Sequence, residues 1–431
     1  MLDRRFIVQN IDAVRRNCEM RNMSVDLDAF LRLDARWREL TGELESLSHQ
    51  SNVHAKELST VKGRPSDEQL ALGRGLKAGK AAIEVELRQV EADLLDLQST
   101  IPNMTHPAAP IGPSDADNVE IERGTTDITA FSFTPKDHVD LGTALDLIDL
   151  EAGSRVAGHG FYYLKNDAVL LDLALQQYAI GILGREGFPP VATPDLARAS
   201  LLTATGYSPR GNETQIYSID GSDLGLIATS EITLAGLHAD SIIDEDDLPI
   251  TICGLSHCFR TEAGAHGRAT RGLYRVHQFT KVEMFAFVHP DDSDKVHLRL
   301  LDIEKQIFDG LGVPYRVVEN ATGDLGGAAY RKFDLEAWMP GRGDNGAGAY
   351  GEVTSTSNCT DYQARRLNVR YRDKATGKVG GLVHTLNGTA VATGRALIAV
   401  LENYQNEDGT IRVPDALRPF LGKDVIGHPG S

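Results

Sequence analysis

The chain has 431 residues, 41% of them hydrophobic, and a formal net charge of −17. That composition is ordinary for a soluble globular protein with a large core and one appendage, and the acidity argues against a uniformly basic nucleic-acid binder. No apolar stretch approaches the roughly 20 residues that span a bilayer. Cys18, Cys253, Cys258 and Cys359 lack the paired spacing of a zinc site, so reduced, mostly buried thiols and a cytoplasmic location are expected.

The start, Met1-Leu2-Asp3-Arg4-Arg5-Phe6, lacks the apolar core of a signal peptide, so no removed leader is expected. Leu33, Trp37, Leu40, Leu44 and Leu47 step by four and three, and the register continues through Ser51, His54, Leu58 and Val61. A second ladder runs Ile83, Leu87, Val90, Leu94, Leu97, Ile101. Each predicts a long helix with a coiled-coil seam. Lys62 to Asp67 reads as the turn between them, which predicts an antiparallel hairpin over about 27–101. Polar Ser51 and His54, with Gly73, Gly75 and Gly79, weaken its outer half, predicted to be the mobile tip. Between 56 and 80, Lys56, Lys62, Arg64, Arg74, Lys77 and Lys80 outweigh Glu57, Asp67 and Glu68. A basic tip on an acidic body suits a protein that touches phosphates locally, although a packing hairpin with incidental lysines has the same composition.

The proline-rich stretch from Pro102 reads as a linker, giving an amino-terminal domain 1–101, a linker 102–120 and a body 121–431. Ile250 to Arg260 is β-rich and ends on an Arg. From Phe279 to Val288 the residues alternate, so Phe279, Lys281, Glu283, Phe285 and Phe287 share one face and Thr280, Val282, Met284, Ala286 and Val288 the other. An antiparallel pair joined by a basic loop is predicted, with Arg268, Arg271 and Arg275 suited to a polyphosphate because guanidinium forks pair bidentately with phosphate oxygens. A solvated hairpin with ordinary surface charges is the plain alternative. Gly341 to Gly351 is glycine-rich but lacks the Lys-Ser/Thr of a P-loop. Glu352 to Asp361 is strand-like, with an acid and several hydroxyls; Glu352 and Ser355 together could hold a hard cation such as Mg2+, or could simply be polar residues at a sheet edge. His384 to Thr389 runs into Ala390–Leu401, read as an almost uncharged helix whose Arg395 needs a partner.

Three of these segments together resemble the class II aminoacyl-tRNA synthetases, and within them the seryl-tRNA synthetase family. The matches are Phe259-Arg260-Thr261-Glu262 with Gln278 to Glu283, Leu386-Asn387-Gly388-Thr389 with Gly394-Arg395 and Glu402 to Gln405, and Thr229-Ser230-Glu231. Gly187 to Pro194 is similar to the family's dimer-forming element. The resemblance covers essentially the whole chain and implies an α+β fold: a six- or seven-stranded antiparallel sheet flanked by helices, preceded by a tRNA-binding helical hairpin. It implies ATP-dependent activation of L-serine and its transfer to tRNA(Ser), with tRNA(Sec) as an optional second acceptor, by a homodimer using Mg2+ and without a membrane. Arg260, Arg275 and Arg395 would be catalytic. ATP would meet Arg260, Thr261, Glu262, Arg271, Arg275, Val276, Phe279, Glu352, Val353, Thr354, Ser355 and Arg395, with Phe279 beneath adenine, Arg395 above it, and the γ-phosphate on Arg275 or Arg271. Serine would meet Thr229, Ser230, Glu231, Arg260, Glu283, Asn387 and Thr389; the metal, Glu352 and Ser355; and tRNA, Lys56, Lys62, Arg64, Arg74, Lys77 and Lys80.

The family commonly has Ala at 230, Ser at 389 and 354, and Arg at 160, where this chain has Ser230, Thr389, Thr354 and Gly160. With Pro209 to Gln215, these departures read as a somewhat divergent or organellar-type branch. Three other readings stand beside the main one: a paralogue passing serine to a small metabolite or carrier protein, an antibiotic-resistant duplicate synthetase, and a non-catalytic regulator. The intact hairpin argues against the first, and the presence of Arg260, Glu283, Glu352, Ser355 and Arg395 against the last.

Overall fold

The computed structural model describes residues 1–60, 63–207, 215–263, 271–343 and 346–428. Val61, Lys62, Pro209 to Thr214, and the basic loop with Arg268 therefore lie outside the described residues. The chain divides into two compact units, Leu2–Pro102 and Met1 with Asn103–Ser431.

In the smaller unit, α1 (Arg4–Gln9) and α2 (Ile11–Met20) precede the long α3 (Leu27–Thr60) and α4 (Asp67–Thr100). Asp3 caps α1 by accepting the Phe6 N–H at 3.0 Å. The two long helices run antiparallel, since Trp37 Nε1 donates to Glu91 at 3.0 Å while His54 Nε2 lies 2.8 Å from the Gln69 carbonyl oxygen. The ladder read from the sequence is the less exposed face of α3, with Leu40 and His54 buried, and of α4, with Val90 and Leu94 buried. A capping box between Ser66 and Gln69 starts α4. His54 and Gly73 act as one packing element: a Cβ on Gly73 would stand 3.3 Å from His54 Nε2.

In the larger unit, among the described residues, eight strands form the main sheet: β1 (Val119–Arg123), β2 (Pro190–Ala192), β3 (Ile250–Phe259), β4 (Gln278–Val288), β5 (Tyr315–Glu319), β6 (Arg331–Met339), β7 (Ala349–Asn358) and β8 (His384–Ala392). Their order is β1-β5-β6-β7-β8-β4-β3-β2. All pairs are antiparallel except β2 with β3, so the sheet has one strand more than the upper expectation and a parallel edge. Helices used below are α5 (Asp167–Arg185), α6 (Glu231–Gly236), α7 (Ser293–Leu311), α8 (Tyr362–Leu367) and α9 (Thr393–Asn403). The helix expected from Ala390 begins only at Thr393; Ala390 to Ala392 complete β8, where small apolar residues fit a strand buried on both faces as well as they fit a helix.

The alternation of β4 sorts its side chains as expected. Val282, Met284, Ala286 and Val288 join a core shared with α5, α7 and α9, whereas Phe285 and Phe287 join a second cluster with Ala364 and Leu367 of α8. Phe279, Lys281 and Glu283, earlier on that second face, open instead onto a cavity. Residues 103–112 bind the β5–β6 connection, with the Asn103 N–H donating to the Gly327 carbonyl at 2.8 Å and the Thr322 N–H to that of Pro110 at 2.9 Å. These contacts hold one wall of the cavity.

Candidate active site

The cavity has a volume of about 480 Å3, and its floor comes from β4, β7 and β8 with the first turn of α9. Antiparallel pairing of β3 and β4 places Cys258 opposite Phe279 and Gly254 opposite Glu283. Arg260, one residue past β3, therefore leans over the Phe279 ring, with its guanidinium carbon 5.3 Å from the centroid. Behind it, His277 Nδ1 sits 2.9 Å from the Arg260 carbonyl oxygen and 2.6 Å from the Tyr217 hydroxyl, and its ring stacks on Phe161 at 5.1 Å. Gly160 is required here: its φ is +83°, and a Cβ would stand 2.4 Å from His277 Cδ2.

Cations dominate this end. Arg275 lines the cavity and pairs with Glu262 at 2.6 Å, and Glu262 holds a left-handed φ of 52° while its N–H donates to Gln215 at 3.1 Å. Thr261 donates its N–H to the Gln215 carbonyl at 3.1 Å. Arg271 stands apart from the lining, exposed and bound to Asp137 and Asp140 at 2.6 Å each. Of the two γ-phosphate candidates, only Arg275 is in the cavity of this structure. Val276, Glu352, Val353, Thr354, Ser355 and Arg395 all line it. Arg395 lies 3.2 Å from Glu352 Oε2 and 4.8 Å above the Tyr274 ring, which supplies the partner its apolar helix demanded. Burial works to raise the Glu352 carboxyl, but the charges of Arg395, Lys332 and Arg260 outweigh it and hold the group well below the usual carboxylate range. One ionised carboxylate and the Ser355 hydroxyl, both in the lining, are a donor set of hard oxygens that fits Mg2+, an ion that keeps most of its waters.

The other end is acidic and buried. Glu283 is 1% exposed, pairs with Lys281 at 2.6 Å and accepts from the Thr389 hydroxyl at 3.2 Å. Glu231, at the start of α6, accepts from Gln363 at 2.6 Å, Asn387 at 3.0 Å and the Tyr207 hydroxyl at 3.3 Å. Burial, and after it the charge of Glu283, pushes the Glu231 carboxyl up to about 7. Glu231, Glu283, Asn387 and Thr389 line the cavity, whereas Thr229 and Ser230 are buried behind it, the Thr229 hydroxyl accepting the Glu231 N–H at 3.2 Å. Tyr207, Gln363, Tyr274 and Lys332 take part in the site without having been singled out from the sequence; a lone Tyr, Gln or Lys outside a motif gives no signal until the chain folds.

On the hairpin, Lys56, Arg64, Arg74 and Lys77 are exposed, and Lys80 is half-buried with Glu84 at 3.9 Å. No helix among the described residues is long and apolar enough to cross a membrane.

The fold and the cavity find counterparts among known proteins. Residues 1–105 match the seryl-tRNA synthetase N-terminal domain, and residues 216–404 match the class II tRNA synthetase core domain (G, H, P, S and T). The chain is 56% identical over 427 residues to a serine–tRNA ligase of Rhodopirellula baltica, covering 99% of both, and 54% identical over 428 residues to one of Rubrobacter xylanophilus, again covering 99% of both. Among solved structures, the seryl-tRNA synthetase of Pyrococcus horikoshii complexed with ATP superposes with a TM-score of 0.89 at 39% identity, over the full length of each chain. The chain belongs to the seryl-tRNA synthetase family of class II aminoacyl-tRNA synthetases.

Proposed function

We propose that the chain activates L-serine with ATP as seryl-adenylate and transfers the serine to tRNA(Ser). The observation that carries this is a single cavity with Arg260, Arg275 and Arg395 at one end and Glu231, Glu283 and Thr389 at the other. The serine carboxylate is already ionised at neutral pH and attacks the α-phosphorus without a general base, so positioning and charge neutralisation carry the rate. Arg260 bridges the α-phosphate and the carboxylate and stabilises charge on the pentavalent phosphorus. Phe279 stacks beneath adenine with Arg395 above it, Glu262 contacts the base, and Arg275 meets the γ-phosphate. Glu352 and Ser355 would hold Mg2+, which when bound offsets phosphate charge. Glu231 and Glu283 take the ammonium and the hydroxyl, and alanine, leaving these buried groups unpaired, is rejected by roughly 10⁴-fold.

Lys56, Arg64, Arg74, Lys77 and Lys80 are the cations proposed to meet tRNA phosphates, with Lys62 among them by sequence. Homodimerisation is supported by exposed Val169, Leu170 and Leu173 on one face of α5, just before β2. Four buried free thiols suit a reducing, cytoplasmic setting.

The test is incubation with ATP, Mg2+, radiolabelled serine and total tRNA, with and without residues 27–101. Acid-precipitable label only with the hairpin present is expected. Serine-dependent pyrophosphate exchange without label under either condition would point instead to transfer onto a small metabolite or carrier protein.

A further inference from the structure

We propose that Glu304 is a positioning residue of the serine pocket, a wedge beneath the point where β7 and β8 part. This rests on the reading of the cavity given above. Both strands are long, yet their register runs only from Asn358↔Leu386 through Ser357↔Asn387 to Thr356↔Gly388 and stops there. Beyond that pair lie Ser355 on one strand and Thr389 on the other, two residues that reach the cavity.

Helix α7 packs under both strands, and a polar stripe on it meets β7. Ser293 Oγ donates to Asn358 Oδ1 at 3.0 Å, and His297 Nε2 lies 3.1 Å from the Thr356 carbonyl oxygen. Glu304 continues the stripe to the parting. It is 0% exposed, and among the described residues neither of its oxygens nor the Thr354 hydroxyl has a partner at full hydrogen-bond geometry, although the Thr354 hydroxyl is close enough to favour the ionised carboxylate. A Cβ on Gly388 would stand 3.2 Å from Glu304 Oε1, 3.1 Å from Thr356 Oγ1 and 3.1 Å from Met284 Cε. The carboxyl thus lies against the underside of Gly388, whose neighbours Asn387 and Thr389 line the cavity on the opposite face.

A buried carboxyl is tolerable there as the neutral acid. Burial pushes it well above its ordinary range, the Thr354 hydroxyl opposing, with the charges of Asp334, Glu283 and Glu352 adding to the rise. As an acid it offers one donor and one acceptor to the opening between the strands, which an apolar side chain of the same size does not.

Pyrophosphate exchange in wild type, Glu304→Gln and Glu304→Leu tests this, with thermal midpoints measured alongside. Glu304→Leu is expected to raise the serine KM about tenfold with the ATP KM within about twofold, and Glu304→Gln, neutral and of the same shape, to stay within about twofold of wild type in both. An unchanged serine KM in Glu304→Leu, an equal rise in both KM values, or a Glu304→Gln enzyme as impaired as the Leu variant would overturn the proposal. Should Glu304→Leu not fold, Glu304→Asp, which withdraws the carboxyl by one methylene, is expected to raise the serine KM selectively, and no change there would overturn it. Wild type without serine-dependent exchange would instead overturn the assignment of the cavity, independently of Glu304.

Discussion

The two ends of the cavity hold charge in opposite ways. At the nucleotide end, Arg275 and Arg395 each already face an acid, Glu262 or Glu352, at 2.6 and 3.2 Å, in partly open surroundings. At the serine end, Glu231, Glu283 and the Lys281 paired with Glu283 are buried almost completely. A polyphosphate brings its own charge and hydration, so preformed cations in reach of water can receive it. A small amino acid is told apart only where water is excluded and every polar group is counted.

The largest effect is expected from Arg260→Ala, which removes the cation nearest the reacting phosphorus: pyrophosphate exchange should fall about 10³-fold with little change in thermal midpoint. An enzyme keeping most of its exchange would erase the proposed nucleotide end. Next comes Glu283→Gln, chosen over Ala because it keeps the shape beside Lys281. The serine KM is expected to rise about 100-fold, near 2.7 kcal/mol, with the ATP KM almost unchanged; parallel changes in both would dissolve the contrast between the ends. The third is a pH dependence. With its carboxyl near 7, Glu231 is neutral below that pH and attracts an ammonium only above it, so the serine KM should rise as pH falls through 7. Glu231→Gln should flatten this limb, and a wild-type serine KM level from pH 6 to 8 would contradict it. The smallest is Gly160→Ala, a strained φ plus a 2.4 Å contact with His277. It should cost about 1–3 kcal/mol of stability and reduce exchange modestly through Arg260, while the serine KM stays put.

Much of this was legible because periodicity reports faces directly. The alternation from Phe279 puts Glu283 on the same face as Phe279, and the four-three stepping from Leu33 marks the hairpin seam. What was not legible depends on the path of the chain. Gln363 reaches Glu231 across 132 residues, and no local pattern encodes that. Arg271 and Arg275 look alike in a basic run; their separation depends on Asp137 and Asp140, which hold the former outside the lining. Thr229 and Ser230 share a motif with Glu231 but stand behind the wall, since a helix start can aim only some of its neighbours at one cavity. Strand β2 is too short for alternation to announce it.

That short strand bears on how so broad a sheet stays apart from others of its kind. At one margin, Pro190 can donate no ladder hydrogen bond, and the strand ends after three residues. At the other, β1 carries Glu120, Glu122 and Arg123 on an exposed strand with a bulge at Glu120/Glu122. Both borders are poor templates for another strand. A newly made chain can therefore complete the sheet without its margins inviting fibrous growth.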